Sequence, residues 1–146
     1  MAEHRITLHI AAPPEQVFAT WMDLDRMTEW VGGVTGVTDV TGPIDVAGTR
    51  YVVHFGPMKS PTEILEVERP NHVRTRFGNL VLKGESDVRF EPTSVGTRLT
   101  LILRTRGAIS AITGRLFASG SYEGSFKGEL EKFRRIVERE VGRRES

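Results

Sequence analysis

The sequence predicts an α+β domain in which a seven-stranded curved antiparallel sheet wraps around a long C-terminal helix, with two short helices after the first strand. Three observations lead there. Residues Val34 to Arg106 break into short stretches of period-two alternation separated by Gly, Pro and Asn turn signals. A stretch of the same kind, Arg5 to Ala11, stands apart at the N-terminus and is followed by residues at helical spacing. Finally, Ala108 to Val141 contains no proline and carries Tyr122, Phe126, Leu130, Phe133 and Val137 at steps of 4, 4, 3 and 4. At roughly 100° per residue, those five share one narrow stripe. A helix with such a stripe needs a broad apolar surface, and the strands supply one.

Composition sets the outer limits. A chain of 146 residues suits one domain, 1–146, with a sizeable core. The net charge of +1, with acidic and basic residues interleaved, argues against nucleic acid or an anionic bilayer as partner. There is no cysteine, which excludes disulfides, thiolate catalysis and cysteine-held metals. No 18-residue apolar run is present and the N-terminus lacks a basic-then-apolar signal, so no membrane insertion and a cytoplasmic location are expected.

In chain order, Ile6, Leu8 and Ile10 alternate with Arg5, Thr7 and His9, a half-buried strand. Pro13-Pro14 and Glu15 then suit a helix start, with Val17, Phe18, Trp21 and Met22 on its apolar face. A second short helix is expected over Leu24 to Trp30, with Asp23 or Asp25 as its cap. Strands follow at Val34–Val40, Gly48–Phe55, Thr62–Glu68, His72–Phe77, Leu80–Phe90 and Thr97–Arg106. Their ends are marked by Gly42-Pro43, Gly56-Pro57, Arg69-Pro70-Asn71, Gly78-Asn79 and the loop from Glu91 to Gly96. Pairing Val67 with Val73 sets Glu66 against Arg74, and pairing Phe90 with Thr97 sets Val88 against Leu99. One face of the sheet is then charged, and the other is apolar and must be covered.

Three patterns carry a resemblance. They are ITLHIAAPPEQVFATWMDLDRMTEW, GTRYVVHF with TEILEVERPNHVRTRF, and VRFEPTSVGTRLTLILRTRG. Together with the element order they resemble the START/Bet v 1-like (SRPBCC) superfamily, in particular its polyketide cyclase/dehydrase-like branch, over about Ile6 to Glu140. The resemblance implies the helix-grip fold and a cavity between sheet and helix. Members of the superfamily include lipid and hormone binders, aromatase/cyclases and accessory proteins. No catalytic motif of the family transfers residue by residue.

The expected cavity lining is Trp30, Tyr51, Val53, Phe55, Phe77, Ser86, Val88, Leu99, Leu101, Tyr122 and Phe126, which suits a mostly apolar ligand oriented by few polar groups. The opposing reading is that these side chains fill an ordinary close-packed core. Gly84, Ser86 and Thr75 are small inward positions that either leave volume or accommodate Phe126 or Phe133. Glu63 is the notable carboxylate: if Leu65 and Val67 point inward, it does too, opposite Phe77, and could serve as acid or base. A bulge caused by Pro61 would instead turn it to water. Glu63 and Tyr51 are the candidate catalytic residues. The histidines show no metal-ligand spacing and no phosphate loop is present, so neither a metal nor a cofactor is expected.

Gly120, Gly124 and Gly128 form a second stripe on the terminal helix, opposite Phe126, Leu130 and Phe133. It either allows a homodimer through close helix approach or marks a locally weak helix. Binding of a hydrophobic small molecule (lipid, polyketide-like or aromatic) is the leading functional expectation. A polyketide cyclase, aromatase or dehydratase and a non-enzymatic co-chaperone-like module are the alternatives.

Overall fold

Alternation and turn chemistry produce the seven strands close to where they are expected. The computed structural model describes residues 2–78, 83–106 and 121–145. Strand β1 (Ala2–Ile10) leads into helix α1 (Pro14–Trp21), a 3-10 turn (Leu24–Arg26) and helix α2 (Met27–Trp30). Six strands follow: β2 (Gly36–Thr38), β3 (Arg50–Phe55), β4 (Met58–Glu68), β5 (His72–Gly78), β6 (Lys83–Thr93) and β7 (Gly96–Arg106). Helix α3 (Ser121–Glu145) closes the described chain, and the expected helical stretch from Ala108 to Gly120 lies outside the described residues. The strands form one antiparallel sheet ordered β1-β7-β6-β5-β4-β3-β2, so the first strand joins the last, with Ala2 opposite Thr105 and Ile10 opposite Thr97.

Four details differ from the sequence reading. The expected second helix is split into the 3-10 turn and α2, and Asp23 makes no side-chain cap. Strand β4 starts at Met58 rather than Thr62, because Gly56-Pro57 is a two-residue loop that brings Phe55 opposite Met58. Pro61 sits opposite Val52, just before the β4–β5 ladder opens with Thr62 opposite Phe77, a position where a missing N–H costs little. In the last hairpin Phe90 pairs with Leu99, not Thr97, and Val88 with Leu101. That shift is two residues, so each side chain keeps its face.

A bulge in β4 has the larger consequence. The register shifts between Ile64 and Glu66, which absorbs Leu65 as an extra residue. Val67 still pairs with Val73 and Glu66 with Arg74, but Glu63 now lies opposite Arg76 instead of Phe77.

The core sits between the sheet and α3 at the end nearest α1 and α2. Leu130, Phe133 and Val137 of α3 are fully buried against Val17, Phe18, Val73, Val88, Phe90, Leu99 and Leu101. Phe133 joins an aromatic cluster, 5.2 Å from the Trp21 ring in an edge-on arrangement and 5.0 Å from Trp30. Three carboxylates of α3 clasp the N-terminal segments. Glu129 accepts from the Gly32 N–H and Glu138 from the Ala11 N–H, each at 2.9 Å, and Glu140 pairs with Arg26. Gly96 admits no side chain where β7 starts: its φ is +147°, and a Cβ would lie 2.2 Å from the Ile10 carbonyl oxygen.

The outer face alternates in charge across the sheet. One row reads Arg50, Glu63, Arg76, Glu85, Arg104, Glu3 in register over six strands. Arg76 meets Glu63 at 3.0 Å, Arg74 meets Glu66 at 3.2 Å and Arg104 meets Glu3 at 3.5 Å. Each such exposed pair stabilises little by itself.

Candidate ligand-binding face

The inner face of the sheet divides into two halves of different chemistry. The half under α1, α2 and the aromatic cluster is apolar, and Trp30, Val88, Leu99 and Leu101 are buried there. Toward the other end, the register sets His4, Leu103, Ser86, Thr75 and Ile64 side by side across the strands. The next row is Thr105, Gly84, Phe77, Thr62 and Tyr51. His4, Leu103, Ser86, Thr75 and Phe77 are only half-buried although they point to the inner side. This half of the face is polar, small-residued and incompletely covered.

Most of its hydroxyls are committed. Thr75 and Ser86 share a hydrogen bond of 2.7 Å, and Thr62 donates to the Ser60 carbonyl at 3.2 Å. Gly84 leaves room for the neighbouring Phe77, whose ring would lie 2.8 Å from a Cβ there. That role differs from the expected accommodation of Phe126 or Phe133. Tyr51 is the exception among the hydroxyls. It is 7% exposed, and its hydroxyl makes no hydrogen bond among the described residues. Burial alone pushes its phenol up to about 12, because the charged form loses hydration without gaining a partner.

No Asp, Glu, Lys or Arg stands on the described inner face of the sheet. Glu63, the candidate acid or base, is on the outer face, where Arg76 donates to it at 3.0 Å. It borders a depression of about 370 Å³ at the end of the sheet, lined by Arg50, Arg76 and Lys83 together with Pro61, Gly78 and the inner-row residues Thr62, Phe77 and Gly84. Among the described residues no group of three or more His, Asp or Glu side chains could hold a metal ion. No described helix is long and apolar enough to cross a membrane.

The remaining expected positions are scattered. Val53 is buried beside Tyr51's strand neighbours, and Phe55 is exposed at the β3–β4 turn. The side chains of Tyr122 and Phe126 lie outside the described residues, as does Gly120, whereas Gly128 is exposed on α3. Thr62 and Thr105 were not among the expected lining residues. Thr105 follows Leu103 at the strand spacing of two, a legible signal. Thr62 was hidden by the bulge that reverses its neighbour Glu63.

Comparison with known proteins agrees with this architecture. A family model described as polyketide cyclase / dehydrase and lipid transport matches residues 1–138. Protein MLL2253 of Mesorhizobium loti superposes with a TM-score of 0.75 at 16% identity, over 94% of this chain and 98% of that one. Protein NE0264 of Nitrosomonas europaea does so at 0.75 and 13% identity, over 96% of each. DynU16, from the dynemicin biosynthetic locus, aligns at 0.70 and 18% identity over 93% of this chain and 47% of that one. At these identities the solved structures establish the fold, a helix grip, and nothing further. No curated protein matches the chain.

Proposed function

Since the chain belongs to the polyketide cyclase / dehydrase and lipid transport family, we propose that it binds a hydrophobic small molecule, lipid, polyketide-like or aromatic, on the half-covered inner face of its sheet. Tyr51 is its polar contact. The observation that carries this reading is the incomplete cover of that face, which holds Tyr51 with a hydroxyl that has no hydrogen-bond partner among the described residues. Ligand sites are mostly apolar with a few polar groups that fix orientation. Tyr51 with the half-buried Phe77, Leu103, Thr75 and Ser86 has that composition.

Binding is favoured over catalysis for a specific reason. A cyclase or dehydratase needs a proton donor or acceptor within reach of its substrate. Glu63 is turned to the outer face and engaged by Arg76. Tyr51 keeps its proton to about 12, which makes it a neutral donor and a poor base near neutrality. The test combines native mass spectrometry of the purified protein with a thermal-shift panel of apolar compounds. A one-to-one adduct and a rise of several degrees in Tm are expected, since a ligand at 100 times its Kd stabilises by about 2.7 kcal/mol. Bare protein mass and an unmoved Tm across the panel would overturn the reading.

A further inference from the structure

We infer that the depression at the end of the sheet seats the anionic head, carboxylate or phosphate, of an amphiphilic ligand whose apolar part lies on the inner face. The inference deepens the binding reading above and rests on it.

Placement is the first ground. Neighbouring residues of a strand point to opposite faces, so β3 sets Arg50 on the outer side and Tyr51 on the inner. Thr62 lies opposite Tyr51 in register, and Phe77 and Gly84 continue the same row. Thr62, Phe77 and Gly84 also line the depression, where they stand beside Arg50, Arg76 and Lys83. The inner row thus runs from the half-covered face to a hollow that gathers cations. Its volume of about 370 Å³ is at the small end of the roughly 300–1,000 Å³ usual for ligand sites. That is room for a head group and the first carbons of a chain.

Charge is the second ground. Three cations line the depression, Arg50, Arg76 and Lys83, against one carboxylate, Glu63. Glu63 stands opposite both Arg50 and Arg76 in register, but its ion pair, at 3.0 Å, is with Arg76. Arg50 and Lys83 are exposed and make no ion pair among the described residues. A lone surface cation is ordinary, but three around one hollow leave positive charge that Glu63 does not balance. Guanidinium groups present a planar fork to carboxylate or phosphate oxygens, and an ammonium adds a point charge. A ligand anion supplies the missing partner.

Matched ten-carbon probes decide the matter: decanoate, decyl phosphate and 1-decanol share a chain and differ in the head. Calorimetry in low salt at about pH 7.5, where both acids are ionised, reads their affinities. A face without cations would favour the alcohol, because an anion loses more hydration. The better of the two anions is instead expected to bind about ten-fold more tightly than 1-decanol, the worth of a charge-assisted contact, and it identifies the head group. The preference is expected to shrink at about 0.5 M salt, because the cations are exposed. Arg50→Gln combined with Lys83→Gln is expected to abolish it. Glu63→Gln is expected to enlarge it, a gain that a damaged fold would not give. If 1-decanol binds as tightly as the anions, or if the preference is unmoved by both sets of substitutions, the inference falls and the binding reading stands. Inorganic phosphate that binds as tightly as decyl phosphate shows a site for free anions and overturns the amphiphile. If no ten-carbon probe binds, both readings fall.

Discussion

Tyr51 carries two opposite demands in one side chain. Its ring belongs to the apolar interior, and its hydroxyl has nothing to bond to among the described residues. Tyr51→Phe is expected to keep the stability of the unliganded protein within about 1 kcal/mol in a denaturant titration, even as it weakens ligand binding. A Tm that falls would mean that the hydroxyl has a partner in the free protein. Titration gives a second outcome. The phenol ordinarily ionises at 10.0, and burial lifts Tyr51 to about 12. Between those values the folded chain keeps a proton that the unfolded chain releases. Its contribution is complete below pH 10 and is lost as pH rises toward 12. Denaturation midpoints measured across that range should fall more steeply for the wild type than for Tyr51→Phe. The facing of Tyr51 was legible from its alternation with Val53. The outward facing of Glu63 was one of the two alternatives, but the bulge that produces it falls at Leu65, a residue with no glycine or proline to announce it, and not at Pro61.

At the scale of elements, α3 joins what sequence reasoning sees to what it misses. Its apolar stripe was plain from periodicity, and Leu130, Phe133 and Val137 are fully buried as that stripe requires. The hairpins were equally legible, because Gly-Pro and Pro-Asn signals sit at their turns. The carboxylate clasps of Glu129 and Glu138 were invisible. Each joins residues about a hundred positions apart through a backbone N–H, which no residue type betrays. The open half of the inner face was half legible for the same reason, since its rows depend on register across five strands. Glu129 offers a test. Desolvation raises its carboxyl, and the Gly32 N–H and Lys132 only partly offset this. The charged form is thus disfavoured in the folded state, and stability falls as pH rises through the carboxylate range. Glu129→Gln keeps an acceptor for Gly32 and removes the charge. It should raise Tm by no more than a few degrees at neutral pH, given solvent screening, with the gain vanishing near pH 4. Gly128 is a different kind of weakness: it is exposed, and a Cβ there meets nothing within 4 Å. Gly128→Ala should stabilise by about 1 kcal/mol through helix propensity. If sedimentation instead shows a dimer that the substitution abolishes, the glycine stripe is a packing surface between copies.

The whole molecule depends on one side chain more than its size suggests. Phe133 is fully buried and touches the rings of both Trp21 and Trp30. It therefore ties α3 to α1 and α2 as well as to the sheet. Phe133→Ala is expected to cost about 3–5 kcal/mol, a large share of the roughly 5–15 kcal/mol available to a domain. Loss of cooperative unfolding, followed by circular dichroism, would be the sign. The sheet order carries a further consequence, this one for synthesis. Because β1 pairs only with β7, Ala2 waits for Thr105 and Ile10 for Thr97. At ribosomal speeds of about 5–20 residues per second, the first strand emerges roughly 5–20 s before its partner exists. Ile6, Leu8 and Ile10 spend that interval without a sheet to join, and α3, which covers their sheet, is made last. A nascent chain of this topology keeps apolar surface unburied until nearly all of it has been made.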